Sequence, residues 1–196
     1  LERSKLLRNI QKKKIISKKV KWIKNIDEIK NGPTIFIANE FFDALPIKQF
    51  ILKNNIWHER FVKYANEEKL IFQDKKANLN SLNYLIQLGL TKKQKIVEFP
   101  IEAIKYLKSV AKIIKQHDGG MICFDYGYKK IKMSNSLQSV KKHNYSNLLS
   151  NVGNTDITHH INFNLFSKII KNLGLHLEGI TEQGIFLQKM GIIHRA

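Results

Sequence analysis

The chain has 196 residues, 43% of them hydrophobic, and a formal charge of +18 from 34 Lys+Arg against 16 Asp+Glu. That apolar share excludes a disordered chain, and 10 Gly with 3 Pro exclude collagen-like or linker sequence. One cysteine, Cys123, excludes a disulfide framework and a cysteine zinc site, and no apolar run is long enough to cross a bilayer.

The charge first suggests a nucleic-acid binder. Only four of the 34 basic residues are arginines (Arg3, Arg8, Arg60 and Arg195), and Lys, Ile and Asn together fill 76 of 196 positions. All three have A/T-rich codons, so genome base composition is a source of this charge besides selection for a polyanion. The chain starts at Leu1 rather than Met, with no signal or transit pattern, and reads as a fragment or a processed product.

In chain order, Ser4 to Lys14 reads as a helix capped by Ser4, with Leu6, Leu7 and Ile10 at helical spacing. Val20 to Ile23 is a short strand candidate. Asn31-Gly32-Pro33 marks a turn, and Thr34-Ile-Phe-Ile-Ala38 reads as a strand buried on both faces, as in a parallel sheet. It runs into Asn39-Glu40-Phe41-Phe42-Asp43-Ala44-Leu45-Pro46, polar residues at the strand end where α/β proteins place ligands. Lys48 to Leu52, Trp57 to Tyr64 and Lys69 to Gln73 read as short antiparallel strands, with loops at Asn54-Asn55 and Asn66-Glu67-Glu68. Together they suggest an insertion over 47–94 in a core formed by 1–46 and 95–196. Ala77 to Gln87 favours no one period.

Ile101 to Gln116 has a helical apolar face and stops at Gly119-Gly120. Met121 to Asp125 is a second buried strand, ending in Asp125-Tyr126-Gly127-Tyr128. Residues 129–154 read as a long polar loop and Ile157 to Phe163 as a strand. A helix capped by Asn164 runs to Asn172, and Leu175 to Thr181 and Gly184 to Gln188 read as closing strands. Alternating helices and strands predict an α/β fold around an open, mostly parallel sheet.

Three constellations could carry chemistry. Glu40 and Asp43, three residues apart after a buried strand, could grip a guanidinium, bind a metal or serve as acid and base. The plainer reading makes Asp43 a helix cap and leaves Glu40 in solvent. Asp125 and Tyr126 close the second strand beside Gly127. Gly153-Asn154-Thr155-Asp156-Ile157-Thr158-His159-His160 carries a histidine pair, but adjacent residues on a strand face opposite sides, so the expectation is no metal. Glu2, before a helix, is placed where acids bind ribose hydroxyls in nucleotide-binding sheets; an exposed terminal Glu is the plainer reading.

In order along the chain, these segments resemble the MidA-like S-adenosylmethionine-dependent methyltransferases, a family that includes the mitochondrial complex I assembly factor. The resemblance rests on six motifs. They are Leu1-Glu2-Arg3-Ser4 with Leu7, Arg8 and Gln11; Ala38 through Pro46 with Gln49 and Phe50; Phe124 through Tyr128; Ser136 through Val140 with His143; Gly153 through Phe163; and Thr181 with Gln183-Gly184 and Phe186-Leu187. It implies a Rossmann-like class I sheet with an antiparallel closing strand, an inserted antiparallel β-rich segment, and a first strand and Gly-rich cofactor turn lying before Leu1. It implies S-adenosyl-L-methionine as cofactor and a protein substrate presenting arginine, in a respiratory-complex assembly role.

Carried over residue by residue, the resemblance makes Glu40 and Asp43 the catalytic pair. Glu2 and Asn39 become cofactor-binding, and Asp125, Tyr126, Asp156 and His160 substrate-binding. It implies no membrane span and no nucleic-acid role, and allows a homodimer. An A/T-rich bacterial cytoplasm is the expected location, with the mitochondrial matrix as the alternative. A basic nucleic-acid-binding protein and a non-catalytic assembly factor on the same fold are the competing readings.

Overall fold

The computed structural model describes residues 1–2, 4–67, 69–142, 144–150 and 152–195. Readings that fall on Arg3, Glu68 and His143 lie outside them. The first helix, α1 (Lys5–Lys14), begins as expected: the Ser4 side chain accepts from the Leu7 N–H, satisfying one of the free donors of the first turn. Val20 to Ile23 forms no strand. That stretch leads into a 3-10 turn, Ile26–Glu28, in which Ile26 is buried.

Strand β1 (Thr34–Asn39) pairs in parallel with β6 (Gly119–Phe124), from Thr34 opposite Gly119 to Asn39 opposite Phe124. Between them, β2 (Lys48–Lys53), β3 (Ile56–Tyr64), β4 (Leu70–Lys76) and β5 (Ile96–Phe99) form an antiparallel sheet in the order β4-β3-β2-β5. The three expected strands are present. The sheet also takes in β5, beyond residue 94, which sequence reading left unassigned. The ambiguous stretch is helix α2 (Leu79–Gln87), with Asn78 capping through the Ser81 N–H. Helix α3 (Ile101–His117) lays Ala103, Ile104, Leu107, Val110, Ala111 and Ile113 into the interior. It ends at Asp118, in left-handed conformation, and the two glycines already belong to β6.

The expected 129–154 loop is partly a sheet. β7 (Gly127–Tyr128) is followed by β8 (Gln138–Lys141) and β9 (Asn144–Ser146), and β8 pairs on its other side with β10 (Asp156–Thr158). The strand expected over 157–163 is broken at His159-His160. β10 ends at Thr158, and β11 (Ile161–Asn162) pairs in parallel with β7 instead. The following helix, α4 (Phe163–Asn172), is capped by Asn162 rather than Asn164; its side chain accepts from the Leu165 N–H.

The closing strands do not form among the described residues. Residues 175–181 are irregular, and α5 (Gln183–Lys189) is helical, its spacing of Ile185, Phe186 and Lys189 being as compatible with a helix turn as with a strand. The α/β class holds: a parallel β1–β6 pair with α3 against it, accompanied by antiparallel sheets. No helix among the described residues is long and apolar enough to cross a membrane.

β1 departs from expectation in its burial. Phe36 and Ala38 face the interior, Phe36 packing with Ile26, Val110 and Ile113, but Ile35 and Ile37 are 77% and 72% exposed. A strand has two faces, and among the described residues α3 covers only one of them. Asn39 continues the outward row.

Candidate active site

The turn after β1 is set by its aromatics. Phe42 is fully buried and meets Phe166 edge-to-face at 5.3 Å, while Phe41 meets Tyr106 the same way at 5.0 Å. These two rings pin the backbone on either side of the acids. Glu40 lies at φ +45°, a conformation costly for a residue with a Cβ, and its N–H donates to the Phe124 carbonyl at the end of β6. Its side chain is exposed, as the plainer sequence reading had it. Asp43 is instead buried and no helix follows it, so it is not a helix cap.

β6 delivers the next acid. Asp125 Oδ2 accepts the Phe42 N–H at 2.9 Å and, more weakly, the Asp43 N–H at 3.4 Å; Oδ1 accepts the Tyr126 N–H. Burial, with the Asp43 charge second, pushes its carboxyl up to about 6. Burial also raises Asp43, and the nearby Glu40 charge adds to it. Cys123, two residues before Asp125, is pushed up to about 12 by burial and then by the Asp125 and Asp43 charges.

Glu40, Asp43 and Asp125 are thus brought together from two strand ends. None of them forms an ion pair with a lysine or arginine among the described residues, although the chain carries 34 of these.

The histidine pair divides as its spacing required: His159 is buried and His160 exposed. The buried one meets the acid turn through its backbone. Its N–H donates to the Asp43 carbonyl at 3.0 Å, and burial holds its ring below the usual histidine range. His160, the residue singled out in the sequence, donates its backbone N–H to Ser136 Oγ. Tyr126 is 62% exposed beside Asp125. Asp156 is exposed in β10 and Asn39 exposed at the end of β1. Glu2 accepts the Ser4 N–H on Oε1 and the Gln11 side chain on Oε2. No hydrogen bond or ion pair among the described residues joins Glu2 or Asp156 to the three acids.

Sequence reading named His159 only within the histidine pair, with no role of its own, and missed Glu98. Glu98 in β5 is buried and accepts from the Ser136 hydroxyl, the Ser136 N–H at 3.0 Å, the Leu137 N–H at 3.1 Å and the Gln49 amide at 2.9 Å. Gln94 adds a second tether, accepting from the Met133 N–H and donating to the Ile131 carbonyl. Ser136 then carries the His160 N–H. The antiparallel sheet thereby fixes the segment leading into the His159-His160 break. A lone acid inside Ile96-Val97-Glu98-Phe99 was the available signal, since such a charge is buried only with several donors around it.

A model of the family described as "Putative S-adenosyl-L-methionine-dependent methyltransferase" matches residues 1–181. The chain is 31% identical over 176 residues to the mitochondrial protein arginine methyltransferase NDUFAF7 homolog of Caenorhabditis elegans, covering 89% of this chain and 41% of that protein. The Danio rerio NDUFAF7 protein is equally similar, with the same coverage. The Homo sapiens protein is 25% identical over 175 residues, covering 88% of this chain and 38% of its own length. The chain thus spans about two fifths of the length of these relatives. Its fold is that of a Burkholderia thailandensis crystal structure bound to S-adenosyl-homocysteine, with a TM-score of 0.71 at 20% identity, over 89% of this chain and 46% of that one. With the family match spanning nearly the whole chain, this protein belongs to the MidA-like S-adenosyl-L-methionine-dependent methyltransferase family.

Proposed function

We propose that this chain is part of an S-adenosylmethionine-dependent methyltransferase that modifies arginine on a protein. The observation that carries this reading is the acid group of Glu40, Asp43 and Asp125, free of basic partners among the described residues in a chain of +18. Unpaired carboxylates held together raise one another's pKa, and a bound cation relieves that repulsion. A guanidinium stays charged at any working pH and offers N–H donors in a planar fork that matches carboxylates. The names of the curated relatives, protein arginine methyltransferases, support the same substrate.

The cofactor, when bound, supplies an electrophilic methyl group on a positively charged sulfur; the protein's part is orientation and electrostatics. The residues fit it in two respects. The acid rim suits a sulfonium. Among the described residues each Glu2 carboxylate oxygen has one partner and keeps a lone pair for a ribose hydroxyl. Asn39, on the outward row at the end of β1, is proposed to meet the cofactor's edge.

In this reading Glu40 makes the first contact with the guanidinium from the exposed rim, and Asp43 the second from below. Asp125 holds the turn that carries them, through the Phe42 and Asp43 N–H groups. Tyr126, Asp156 and His160, all exposed, border the substrate side. Orienting one nitrogen in line with the methyl is the main catalytic need of such a displacement. The mitochondrial names of the relatives support the matrix rather than the bacterial cytoplasm as the site of action.

The test is transfer of labelled methyl from S-adenosylmethionine to arginine-containing peptides by the full-length protein and its Glu40→Gln variant. Removing a charge that grips the substrate should lower kcat/KM on the order of 100-fold. Unchanged transfer, or equal transfer to lysine-substituted peptides, would overturn the assignment.

A further inference from the structure

Three consecutive backbone N–H groups at the break after β10 go to three different places. The His159 N–H donates to the Asp43 carbonyl at 3.0 Å, the His160 N–H to Ser136 Oγ at 2.9 Å and the Ile161 N–H to the Tyr126 carbonyl at 2.8 Å. The first acceptor belongs to the turn after β1, and the third to the turn after β6. Residues 159–161 therefore tie the two acid-bearing turns together, with the exposed His160 between the two anchor points.

The middle bond differs in kind. The carbonyls at 43 and 126 are main chain, and any residue there supplies one. Ser136 alone accepts through its side chain. An N–H only donates, so the Ser136 oxygen accepts from His160 and its own proton goes elsewhere. Glu98 takes it: the Ser136 hydroxyl donates to the Glu98 carboxylate. Bonds in such a chain polarise one another, so a hydroxyl tied to a carboxylate accepts more strongly than a free one.

The far end of this relay is fixed. Ser136 and Glu98 are 9% and 6% exposed, and the Gln49 amide donates both to Glu98 at 2.9 Å and to Asn135 at 2.8 Å. β8 begins two residues after Ser136 and pairs with β10, setting Gln138 opposite Thr158. His160 is thus reached from the antiparallel sheet along a line of side chains, Gln49 to Glu98 to Ser136. Among the described residues the His160 ring itself has no hydrogen bond, which leaves it available to a peptide.

We propose that Ser136 is a positioning residue for the substrate: by carrying the His160 N–H from Glu98, it holds His160 at the rim where the arginine-bearing peptide binds. This rests on the methyltransferase reading above. Ser136 touches neither substrate nor cofactor in this arrangement. It acts through His160, so its loss shows in peptide affinity and not in cofactor binding.

The experiment uses the full-length protein with Ser136→Ala, His160→Ala and the double variant. Transfer of labelled methyl to an arginine peptide is measured at varied peptide concentration, and S-adenosylmethionine binding by calorimetry. Ser136→Ala should raise the peptide KM about 10-fold, with kcat changed by less than about 3-fold and cofactor affinity within about 2-fold of wild type. Added to His160→Ala, it should raise KM by no more than about 2-fold further, because the two changes remove one interaction. A Ser136→Ala protein with wild-type KM, or one that repeats its full loss beside His160→Ala, overturns the relay and leaves the methyltransferase reading intact. A wild-type protein that transfers no methyl to arginine peptides overturns that reading and the relay with it. Should Ser136→Ala not fold, ¹⁵N NMR of His160 in the wild type decides: the arginine peptide should shift the ring signals, and unmoved signals overturn the proposal.

Discussion

The Asp125 carboxylate accepts the backbone N–H of Phe42 at 2.9 Å, across 83 residues of sequence. One side chain at the end of β6 thus fixes the turn at the end of β1. Because burial and Asp43 raise its folded pKa to about 6, the folded state holds this proton more tightly than the unfolded chain does. The linkage therefore runs against the usual direction for an acid: stability falls as pH rises from about 4 through about 6. Asp125→Asn should flatten that fall, since the amide oxygen can still accept one N–H. Urea midpoints at pH 4, 5, 6 and 7 check this. Equal pH slopes in the two proteins would show that Asp125 does not titrate as described.

Gly127 is where β7 approaches β11. A Cβ there would lie 2.3 Å from the Ile161 carbonyl oxygen and 2.6 Å from the Phe163 ring. The ring could turn, but the carbonyl belongs to the paired strand. Gly127→Ala should cost about 1–3 kcal/mol, as overpacking generally does. It should also raise amide exchange at Ile161, whose N–H donates to the Tyr126 carbonyl. Thermal melts with hydrogen exchange measure both.

Glu98 gathers four donors into one buried carboxylate. Glu98→Ala would leave the Ser136 and Leu137 N–H groups and the Gln49 amide without that acceptor. The expected loss is about 3 kcal/mol, at the upper end for stranded polar groups. Exchange should accelerate at Ser136 and Leu137, while the distant Phe61 and Val62 in β3 stay as in wild type. Uniform acceleration throughout the chain would indicate global destabilisation without a local tether.

Asp74 joins Arg60 at 2.8 Å and Lys53 at 2.8 Å across the antiparallel sheet, and these two cations hold its carboxyl down to about 2. Its folded pKa lies below the unfolded value, so this contribution is present above about 4 and disappears as pH falls toward 2. Solvent reaches the group and screens it, leaving about 0.5–1 kcal/mol at neutral pH. Asp74→Asn should lose that amount at pH 7 and less at pH 3, by urea denaturation.

Much of this was legible in the residues. Ser4 marked the first helix start, and the apolar runs at Thr34 and Met121 marked the parallel pair. The polar stretch after each run gave the acids that converge. What failed to show was tertiary. Nothing local distinguishes Asn162 from Asn164 as a cap, because both precede the same apolar face. The burial of Ile35 and Ile37 depended on what covers that face, which strand composition does not encode. At His159-His160, alternation required one ring in and one out, but the break after Thr158 decided which. The distant acceptors on Asp43 and Glu98 then gave the buried ring and its neighbour their surroundings.

The Glu98 tether bears on how such chains can be recombined. Gln49 and Glu98 come from two strands of the antiparallel sheet, and Ser136 and Leu137 from a segment nearly forty residues later. A chimera that exchanges this sheet between relatives must therefore carry Gln49, Glu98 and Ser136 as one inherited unit. Splitting them would leave a hybrid whose parts are each sound but whose loop is held on this side by the Gln94 tether alone.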